Sequence, residues 1–289
     1  MSNDYQLVRL NNGICSVRSL RDAETFHPVV GPVAEAEGLY VNQLQLHERI
    51  QKNSGDFVIW DVGLGAAANA LTVLRSLRNL KCKIHLISFD QTLEPLKFAL
   101  QHTAQLGYFD GYENPLLELL GKHQATFRDG AQSVNWEFHL GDFPLLLAVS
   151  KSSPENSMLA ASPHAILFDA YSPAKNPAMW TLPLFTKLFQ RLDPRRPCAM
   201  PTYSRSTILR VTLLLAGFFV GVGHATGLKE ETTMAANTLD LLEKPLDARW
   251  LERAFRSDSA EPLLQPVYSR AKLSPATAEK LRAHPQFQL

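Results

Sequence analysis

The sequence predicts an α/β protein built on a doubly wound parallel sheet, with an antiparallel hairpin at its C-terminal end. Buried-strand patterns alternate with helical patterns from residue 57 to residue 216, the order of elements expected of such a sheet. The first strand pattern runs into a glycine loop and then a helix. Two further strand patterns, 218–224 and 232–237, follow the last helix with no helix between them, which favours a hairpin.

Each element of the main domain has a local signal. Apolar runs predict strands at 57–61, 83–89, 135–140, 165–168 and 198–203, and helical periodicity predicts helices at 66–77, 93–106, 182–192 and 207–216. Gly217 is placed to end the last of these helices. Residues 107–134 are expected to be mostly loop, with a short helix near 115–120.

Extensions are expected on both sides of the main domain, which we assign to residues 51–240. In the N-terminal appendage, residues 1–50, the turn signal Asn11-Asn12-Gly13 predicts a hairpin of strands 5–10 and 14–17. A helical pattern then runs from Val33 through Ile50. The C-terminal extension, residues 241–289, is more polar and is predicted to contain one helix near 246–255.

Composition bounds the class of protein. Of 289 residues, 45% are hydrophobic and 20% are charged, which is typical of a globular chain with a sizeable core. The net charge of +1 neither favours nor excludes a nucleic-acid partner, because binding depends on a local basic face. Three widely spaced cysteines and the lack of a signal-peptide pattern favour the cytoplasm. The longest apolar run, 213–222, is too short to span a membrane.

The loop after the first strand bears on the class of cofactor. Gly63 and Gly65 allow a ligand to approach the backbone closely, but the third glycine of the dinucleotide fingerprint is absent. Acids follow three successive strand regions, at Asp90, Asp142 and Asp169. Adjacent carboxylates suit ribose hydroxyls, an adenine amino group and a sulfonium, and they would repel a pyrophosphate. With the terminal hairpin, which is usual in methyltransferases, this favours S-adenosylmethionine over a nicotinamide cofactor.

The stretch after the fourth parallel strand is a candidate active-site loop. Pro173 and Pro177 preclude a regular helix there and predict a rigid loop at the carboxyl end of the strand. Ligands of open α/β sheets bind at this edge, so Asp169 would lie in the binding crevice. The alternative is that Asp169 only caps a turn.

This loop carries a family resemblance. Residues 169–180, DAYSPAKNPAMW, resemble the D-A/G-F/Y-A/S-P-x-K-N-P-x-M-W block of the tRNA 5-methylaminomethyl-2-thiouridine methyltransferase family, which N-methylates a wobble uridine in bacteria. Residues 63–69 resemble that family's G-F-G-T-G-x-N loop, and residues 25–31 resemble the N-terminal segment of its stand-alone members. The resemblance covers about residues 20–237 and includes no segment similar to the flavin-dependent oxidoreductase fused to some members.

The resemblance implies an S-adenosylmethionine-dependent N-methyltransferase that acts on tRNA without a metal or a membrane; nothing in the sequence indicates an oligomeric state. Asp169 would be the catalytic residue that receives the substrate amine. Asp61, Gly63, Gly65 and Asn69 would line the methionine end of the cofactor, Asp90 would hold its ribose, and Asp142 its adenine. The residues implied in substrate binding are Tyr171, Lys175, Asn176, Trp180 and Lys229.

Two segments depart from the family pattern. Ala67 replaces the second loop glycine, and we expect it to lie in the first helical turn, where alanine is tolerated. Residues 227–231, GLKEE, stand where the family has G-R-K-R-E, so Leu228 and Glu230 remove two positive charges and add a negative one. Since phosphate contacts dominate nucleic-acid affinity, a methyltransferase acting on another acceptor, including a small molecule, stays open. A non-catalytic cofactor-binding module and a nicotinamide dehydrogenase are the remaining alternatives.

Most of the candidate residues also have a structural explanation. Asp61 and Asp90 could cap loops, Asp142 could be a turn residue, Lys175 could pin its own loop, and Trp180 could pack in the core. His27 could contact substrate, but a structural hydrogen bond is the favoured role of a loop histidine. A basic region could be a phosphate-binding face or an ordinary solvated surface. Its members are Lys187, Arg191, Arg195, Arg196, Arg205 and Arg210.

Overall fold

The structure is a computed structural model that describes residues 4–148, 161–226 and 230–288. The chain divides into two compact units. Unit 1 comprises residues 1–143, 165–169 and 225–230, and unit 2 comprises residues 144–164, 170–224 and 231–289. The division of the chain into an appendage, a main domain and an extension stays a prediction.

Unit 1 begins with a small antiparallel sheet. Its strands are β1 (Tyr5–Arg9), β2 (Cys15–Ser19) and β3 (Glu24–Thr25), and the pairing of Tyr5 with Ser19 confirms the predicted hairpin. The segment from Val33 through Ile50 is helical over most of its length, as predicted, but it is not one continuous helix. The segment contains α1 (Pro32–Ala36), a π-helix (Glu37–Asn42) and α2 (Leu46–Gln51), because Gln45 adopts a left-handed φ of 50° and interrupts the helical path.

The main sheet of unit 1 contains five strands in the order β8-β4-β5-β7-β6. They are β4 (Phe57–Val62), β5 (Lys83–Asp90), β6 (Gln124–Asp129), β7 (Gln132–Leu140) and β8 (Ala165–Phe168). β4 pairs in parallel with β5 on one side and with β8 on the other, and β5 pairs in parallel with β7. Strand order therefore reverses between β4 and β8, which creates a topological switch point at their carboxyl ends.

After α1 and α2, unit 1 contains the helices α3 (Ala68–Leu77), α4 (Glu94–Leu100), α5 (Thr103–Leu106) and α6 (Glu113–Lys122). The helix predicted at 93–106 is interrupted between α4 and α5 at residues 101–102. The prediction that residues 107–134 are mostly loop is wrong, since α6, β6 and the start of β7 occupy most of them. β6 pairs antiparallel with β7. Its residues Gln124, Thr126 and Arg128 are polar and exposed, so β6 lacks the continuous apolar run by which a buried strand is recognised in sequence.

Unit 2 contains an antiparallel set of strands in the order β10-β11-β9. Its elements are α7 (Phe143–Ala148, which starts at the unit boundary), a 3₁₀ turn (Pro177–Trp180), α8 (Leu182–Arg191), β9 (Ala199–Thr202), α9 (Thr207–Ala216), β10 (Phe219–Gly223) and β11 (Thr232–Ala236). Pairing of Phe219 with Ala236 confirms the predicted terminal hairpin. Gly217 ends α9 with a φ of 109°, as predicted.

The C-terminal residues of unit 2 form α10 (Ala248–Phe255) and α11 (Pro275–Arg282). The first is the predicted helix, and the second was not predicted. The buried Gln286 side chain accepts a hydrogen bond from Val220 N at 2.8 Å and donates to Val220 O and Leu246 O, each at 2.8 Å. These bonds fasten the chain end to β10. In the described part of the chain, no helix has the length and apolar character needed to cross a membrane.

Candidate active site

The glycine loop after β4 makes a left-handed path before α3. Gly63, Gly65 and Ala67 have φ values of 95°, 52° and 63°. Ala67 O accepts a hydrogen bond from Leu71 N at 2.9 Å, so Ala67 is the residue that precedes α3. The expectation that Ala67 lies in the first helical turn is wrong, because the chain needs a left-handed residue to enter the helix. That conformation costs an alanine roughly 1–2 kcal/mol.

Asp90, the last residue of β5, caps this loop. Its Oδ2 accepts a hydrogen bond from Gly65 N at 2.9 Å, and its Oδ1 accepts from Thr92 N at 3.3 Å. Burial raises the pKa of Asp90, and the backbone donors oppose that shift. The backbone of Gln91 is a third donor to Asp90. A carboxylate has about four acceptor positions, so these bonds still leave capacity for a ribose hydroxyl. Asp90 therefore caps the loop, as one of the two sequence interpretations proposed, and its ribose-binding role stays a prediction.

Asp61 is a buried carboxyl group within β4. Its side chain is only 1% exposed, and its Oδ2 accepts a hydrogen bond from Ser88 Oγ at 2.7 Å. Ser88 Oγ in turn accepts from Trp136 Nε1 at 2.9 Å. Oδ1 of Asp61 is buried without a hydrogen-bond partner among the described residues. Burial raises the pKa of Asp61 to about 7, against the hydrogen bond from Ser88, and the charges of Asp169 and Asp90 add to the increase.

Asn69 connects the glycine loop to Asp169. Asn69 lies in the first turn of α3, and its Nδ2 donates to Asp169 Oδ2 at 2.7 Å. Asp169 directly follows β8, and its backbone N donates to Val62 O at 3.0 Å. The sequence predicted both residues for the site but not the bond between them. Asn69 Oδ1 is a second buried acceptor with no partner in the described residues.

Asp142 lies beyond the end of β7 and completes a row of acids at one sheet edge. Its Oδ2 accepts a hydrogen bond from Gln91 Nε2 at 2.9 Å. Gly141 N donates to Asp90 O at 2.9 Å, which keeps this loop beside the end of β5. Asp61, Asp90, Asp142 and Asp169 thus lie at or near the carboxyl ends of the four parallel strands of unit 1. The adenine-binding role of Asp142 stays a prediction.

For His27 the sequence left two roles open, contact with substrate and a structural hydrogen bond, and its ring lies beside Asp169. Its Nε2 is 3.6 Å from Asp169 Oδ2, and its Nδ1 is 3.7 Å from Glu35 Oε1. Burial acts to lower the pKa of His27, but the charges of Asp169 and Glu35 raise it above the ordinary value. The backbone of His27 is left-handed, with a φ of 48°, and its side chain is 9% exposed. The N-terminal family segment was the signal that pointed to this residue.

The N-terminal sheet holds this segment over the glycine loop. Phe26 N donates to Val17 O at 2.8 Å, and Ser16 Oγ donates to Phe26 O. A Cβ added at Gly65 would lie 3.3 Å from the Phe26 ring. A side chain at Gly65 would therefore meet the cost of a positive φ and would also require the Phe26 ring to shift by a few tenths of an ångström.

The residues predicted to bind substrate, other than Lys229, lie in unit 2 and form a compact loop. Ser172 O accepts hydrogen bonds from Lys175 N at 2.9 Å and Asn176 N at 2.8 Å. Trp180 Nε1 donates to Tyr171 O at 2.7 Å, and the Trp180 side chain is 3% exposed. Trp180 therefore ties the end of the loop to its start, and a buried ring does not offer a face for base stacking. Substrate contact by the four loop residues stays a prediction, and Lys229 and Leu228 lie outside the described residues.

The basic region of unit 2 is only partly a solvated surface. Arg191 donates to Leu147 O at 3.0 Å, and Arg196 donates to Ser162 O. Arg210 is buried and forms an ion pair with Glu231 at 3.1 Å, so its proposed place on a phosphate-binding face is wrong. The exposed cations of the region are Lys187, Arg195 and Arg205.

The site fits S-adenosylmethionine in its donor and acceptor chemistry. Asp61 Oδ1 and Asn69 Oδ1 are buried acceptors that need donors, and the amino-acid end of this cofactor supplies an ammonium group. The row of carboxylates favours a cationic ligand over a pyrophosphate.

Comparison with known proteins agrees with this chemistry. The model of an S-adenosyl-L-methionine-dependent methyltransferase family matches residues 114–238, which confirms the predicted enzyme class and cofactor. The tRNA 5-methylaminomethyl-2-thiouridine biosynthesis bifunctional protein MnmC of Campylobacter concisus is 25% identical over 227 residues, covering 77% of this chain and 34% of the relative. Its counterpart in Aeromonas hydrophila is 28% identical over 214 residues, covering 69% of this chain and 30% of the relative. The chain thus spans about a third of the length of these relatives.

A solved structure confirms the fold. The crystal structure of MnmC2 from Aquifex aeolicus superposes with a TM-score of 0.68 at 21% sequence identity. The match covers 98% of this chain and 84% of that chain. The predicted Rossmann-like fold is therefore confirmed.

Proposed function

We propose that this chain, which is an S-adenosylmethionine-dependent methyltransferase, methylates the aminomethyl nitrogen of 5-aminomethyl-2-thiouridine at the wobble position of tRNA. The observation that carries the proposal is Asp169, which Asn69 holds at the switch point and which is the first residue of the DAYSPAKNPAMW block. The names of the two MnmC relatives support the tRNA substrate. The proposed compartment is the cytoplasm, which agrees with the three free cysteines.

The cofactor would be held by the carboxylate edge of unit 1. Asp61 Oδ1 and Asn69 Oδ1 would accept from its ammonium group, Gly63 and Gly65 would let it approach the backbone, and Asp90 and Asp142 would bind its ribose and adenine. When bound, the cofactor supplies an electrophilic methyl group on a sulfonium.

The chemistry assigned to the chain is positioning and proton handling. The acceptor amine would need a neutral lone pair to take the methyl group that the cofactor would supply, and the electron pair of the carbon–sulfur bond would go to sulfur. Asn69 donates to Asp169 Oδ2, and the Asp169 carboxylate would accept a hydrogen bond, and then a proton, from the acceptor nitrogen. Alignment of the reacting atoms supplies about 7 kcal/mol or more of the barrier reduction. Direct transfer requires neither a covalent enzyme intermediate nor a metal.

The test is transfer of label from S-adenosylmethionine into bulk tRNA prepared from cells that lack the final methylation, followed by nucleoside analysis. We expect label in 5-methylaminomethyl-2-thiouridine. Asp169→Asn should lower kcat by about 10²–10⁴-fold, because the amide cannot accept the proton. Asp258→Asn is the control, since this carboxylate is 85% exposed. Both variants should bind S-adenosylhomocysteine, measured by calorimetry; loss of binding only in Asp169→Asn would make Asp169 a cofactor residue instead.

A second acceptor is favoured by one observation. Glu230 is exposed where the resembled family has an arginine, so this position would repel phosphates rather than bind them. Cofactor binding without label in tRNA, together with transfer to a small primary amine, would support the alternative. For tRNA, the proposed phosphate contacts are Lys187, Arg195 and Arg205. Replacing one of them should reduce by about one the slope of the logarithm of the tRNA-binding constant against the logarithm of salt concentration, because one fewer counterion is released on binding.

A further inference from the structure

We propose that Ser88 and Trp136 are positioning residues for the cofactor: a directed chain of hydrogen bonds from Trp136 through Ser88 holds Asp61 with Oδ1 as the atom that takes the ammonium group. To accept from an ammonium group, Oδ1 must first give up its proton to solvent. The inference rests on the proposed function only in the contact of Asp61 with the cofactor, and not in the identity of the methyl acceptor.

The direction of the chain follows from the chemistry of its members. The indole Nε1 of Trp136 can only donate, so Ser88 Oγ accepts from it, at 2.9 Å. A hydroxyl group has one hydrogen, and that of Ser88 goes to Asp61 Oδ2 at 2.7 Å. If the proton of a neutral Asp61 were on Oδ2, the Ser88 hydrogen would lose this acceptor. Any proton that Asp61 carries is therefore favoured on Oδ1.

The three side chains lie on neighbouring strands and are shielded from solvent. Asp61 in β4 pairs with Ser88 in β5, and Trp136 lies in β7, which pairs with β5. Asp61 is 1% exposed, and the other two residues are fully buried. Solvent therefore does not compete for these hydrogen bonds, and the register of the sheet fixes the positions of the three groups.

Oδ1 of Asp61 is the oxygen that the chain leaves without a donor. It is buried and has no hydrogen-bond partner among the described residues. When Asp61 is neutral, Oδ1 carries a hydrogen and presents a donor, and an ammonium group also presents only donors. Only the ionised carboxylate can accept from it, so recognition of the amino group requires Asp61 to lose its proton.

The surroundings of Asp61 favour the neutral form before the cofactor is bound. Burial raises the pKa of Asp61 to about 7, and the hydrogen bond from Ser88 opposes the rise. The charged groups that act on Asp61 are Asp169, after β8, and Asp90, at the end of β5, and both are acids that add to the rise. Loss of the hydrogen bond from Ser88 would therefore make the carboxylate harder to ionise.

The test is calorimetric binding of S-adenosylhomocysteine, which carries the ammonium group and has no methyl group to transfer. Compared in two buffers of different ionisation enthalpy, wild-type protein should release about 0.9 proton per ligand at pH 6 and about 0.1 at pH 8, because the pKa of Asp61 is about 7. The deamino analogue, in which hydrogen replaces the ammonium group, should bind without this release.

Asp61→Asn should abolish the proton release and weaken binding at both pH values. Its amide oxygen can still accept from Ser88, which places the NH2 group at the position of Oδ1, where it meets the ammonium group as a second donor. Binding of S-adenosylhomocysteine as in wild type would contradict both the inference and the contact proposed for Asp61.

Ser88→Ala and Trp136→Phe test the chain itself. The first removes the donor to Oδ2, and the second lets the Ser88 hydroxyl turn and accept from a protonated Oδ2, so both favour the neutral acid. A rise of about one unit in the pKa of Asp61 would weaken binding about 10-fold at pH 6 and about 2-fold at pH 8. The matched control is Ser76→Ala, which removes a hydroxyl that donates to Val73 O in α3 and should bind as wild type does.

The outcomes separate the inference from the proposed function. Binding by folded Ser88→Ala that is unchanged, or that is weakened equally at pH 6 and pH 8, would overturn the inference while a defect in Asp61→Asn keeps Asp61 as a cofactor residue. Ser88→Ala decides alone if Trp136→Phe does not fold. None of these measurements uses tRNA, so a failure to label tRNA would overturn the proposed acceptor and leave the inference standing.

Discussion

Asp61 allows a quantitative test of the electrostatics of the site. The Asp61→Asn substitution preserves the shape of a side chain that is buried in β4 and hydrogen-bonded to Ser88. It removes the ability to ionise. Because an asparagine oxygen can still accept from Ser88 Oγ, the variant should fold, with a cost or gain that does not depend on pH.

The magnitude follows from the pKa. Burial raises the pKa of Asp61 from 3.8 to about 7, a shift of about 3 units. At 1.36 kcal/mol per unit, ionising Asp61 in the folded protein costs about 4 kcal/mol relative to the unfolded chain. Between about pH 4 and pH 7 the folded state binds the extra proton, so the contribution of Asp61 to stability falls as pH rises and is constant above pH 7.

The assay is urea unfolding of wild-type protein and Asp61→Asn at several pH values, followed by tryptophan fluorescence, since Trp60 and Trp136 are fully buried in unit 1. From pH 5 to pH 8, the free energy of unfolding of wild type should fall by about 3 kcal/mol relative to the variant. Asp258→Asn, at an exposed position, should show no comparable trend.

A difference that changes by less than about 1 kcal/mol over this range, or that changes in the opposite direction, would refute the reasoning. It would mean that Asp61 is already ionised at acidic pH. An ionised Asp61 would then need a donor to Oδ1, which has no hydrogen-bond partner among the described residues.

Two further predictions concern backbone conformation. Ala67→Gly should raise the free energy of unfolding by about 1 kcal/mol. Glycine removes the energetic cost of the left-handed conformation, and its greater conformational entropy in the unfolded chain offsets part of that gain. Ala68→Gly, one residue later in α3, should lower it by about 1 kcal/mol, and equal effects in urea titrations would contradict this account. Gly217→Ala should lower the thermal midpoint, with a loss of about 2 kcal/mol or more, because φ is 109° and the new Cβ would lie 2.8 Å from Phe189. A midpoint within error of wild type would show that Phe189 moves aside freely.

The sheet was largely predictable because its central strands are continuous apolar runs. Ala165–Phe168 is buried at every position, and the strand-end acid Asp169 follows it directly. β6 was missed because half of its residues are exposed and polar. The break at Gln45 was missed because a left-handed φ at a glutamine has no sequence signature.

The location of the acidic residues of the site could be predicted from the sequence, but the contacts between its side chains could not. Each carboxylate stands at the end of a parallel strand, and the rule for open α/β sheets places such residues together. The approach of His27 to Asp169 depends on where the N-terminal sheet positions the loop that contains His27. This is a tertiary effect, and local residue patterns do not predict it. The conformation of Ala67 was mistaken for the same reason, since alanine is ordinarily a helix former.

The placement of β8 beside β4 has a consequence for synthesis of the protein. Asn69 and Asp169 are 100 residues apart in sequence, so at 5–20 residues per second the ribosome needs about 5–20 s to make the second after the first. During that interval one edge of the apolar strand β4 has no neighbour, and such an edge is a template for aggregation. The nascent chain should therefore depend on chaperones in this window, and that dependence should end when residues 165–169 emerge.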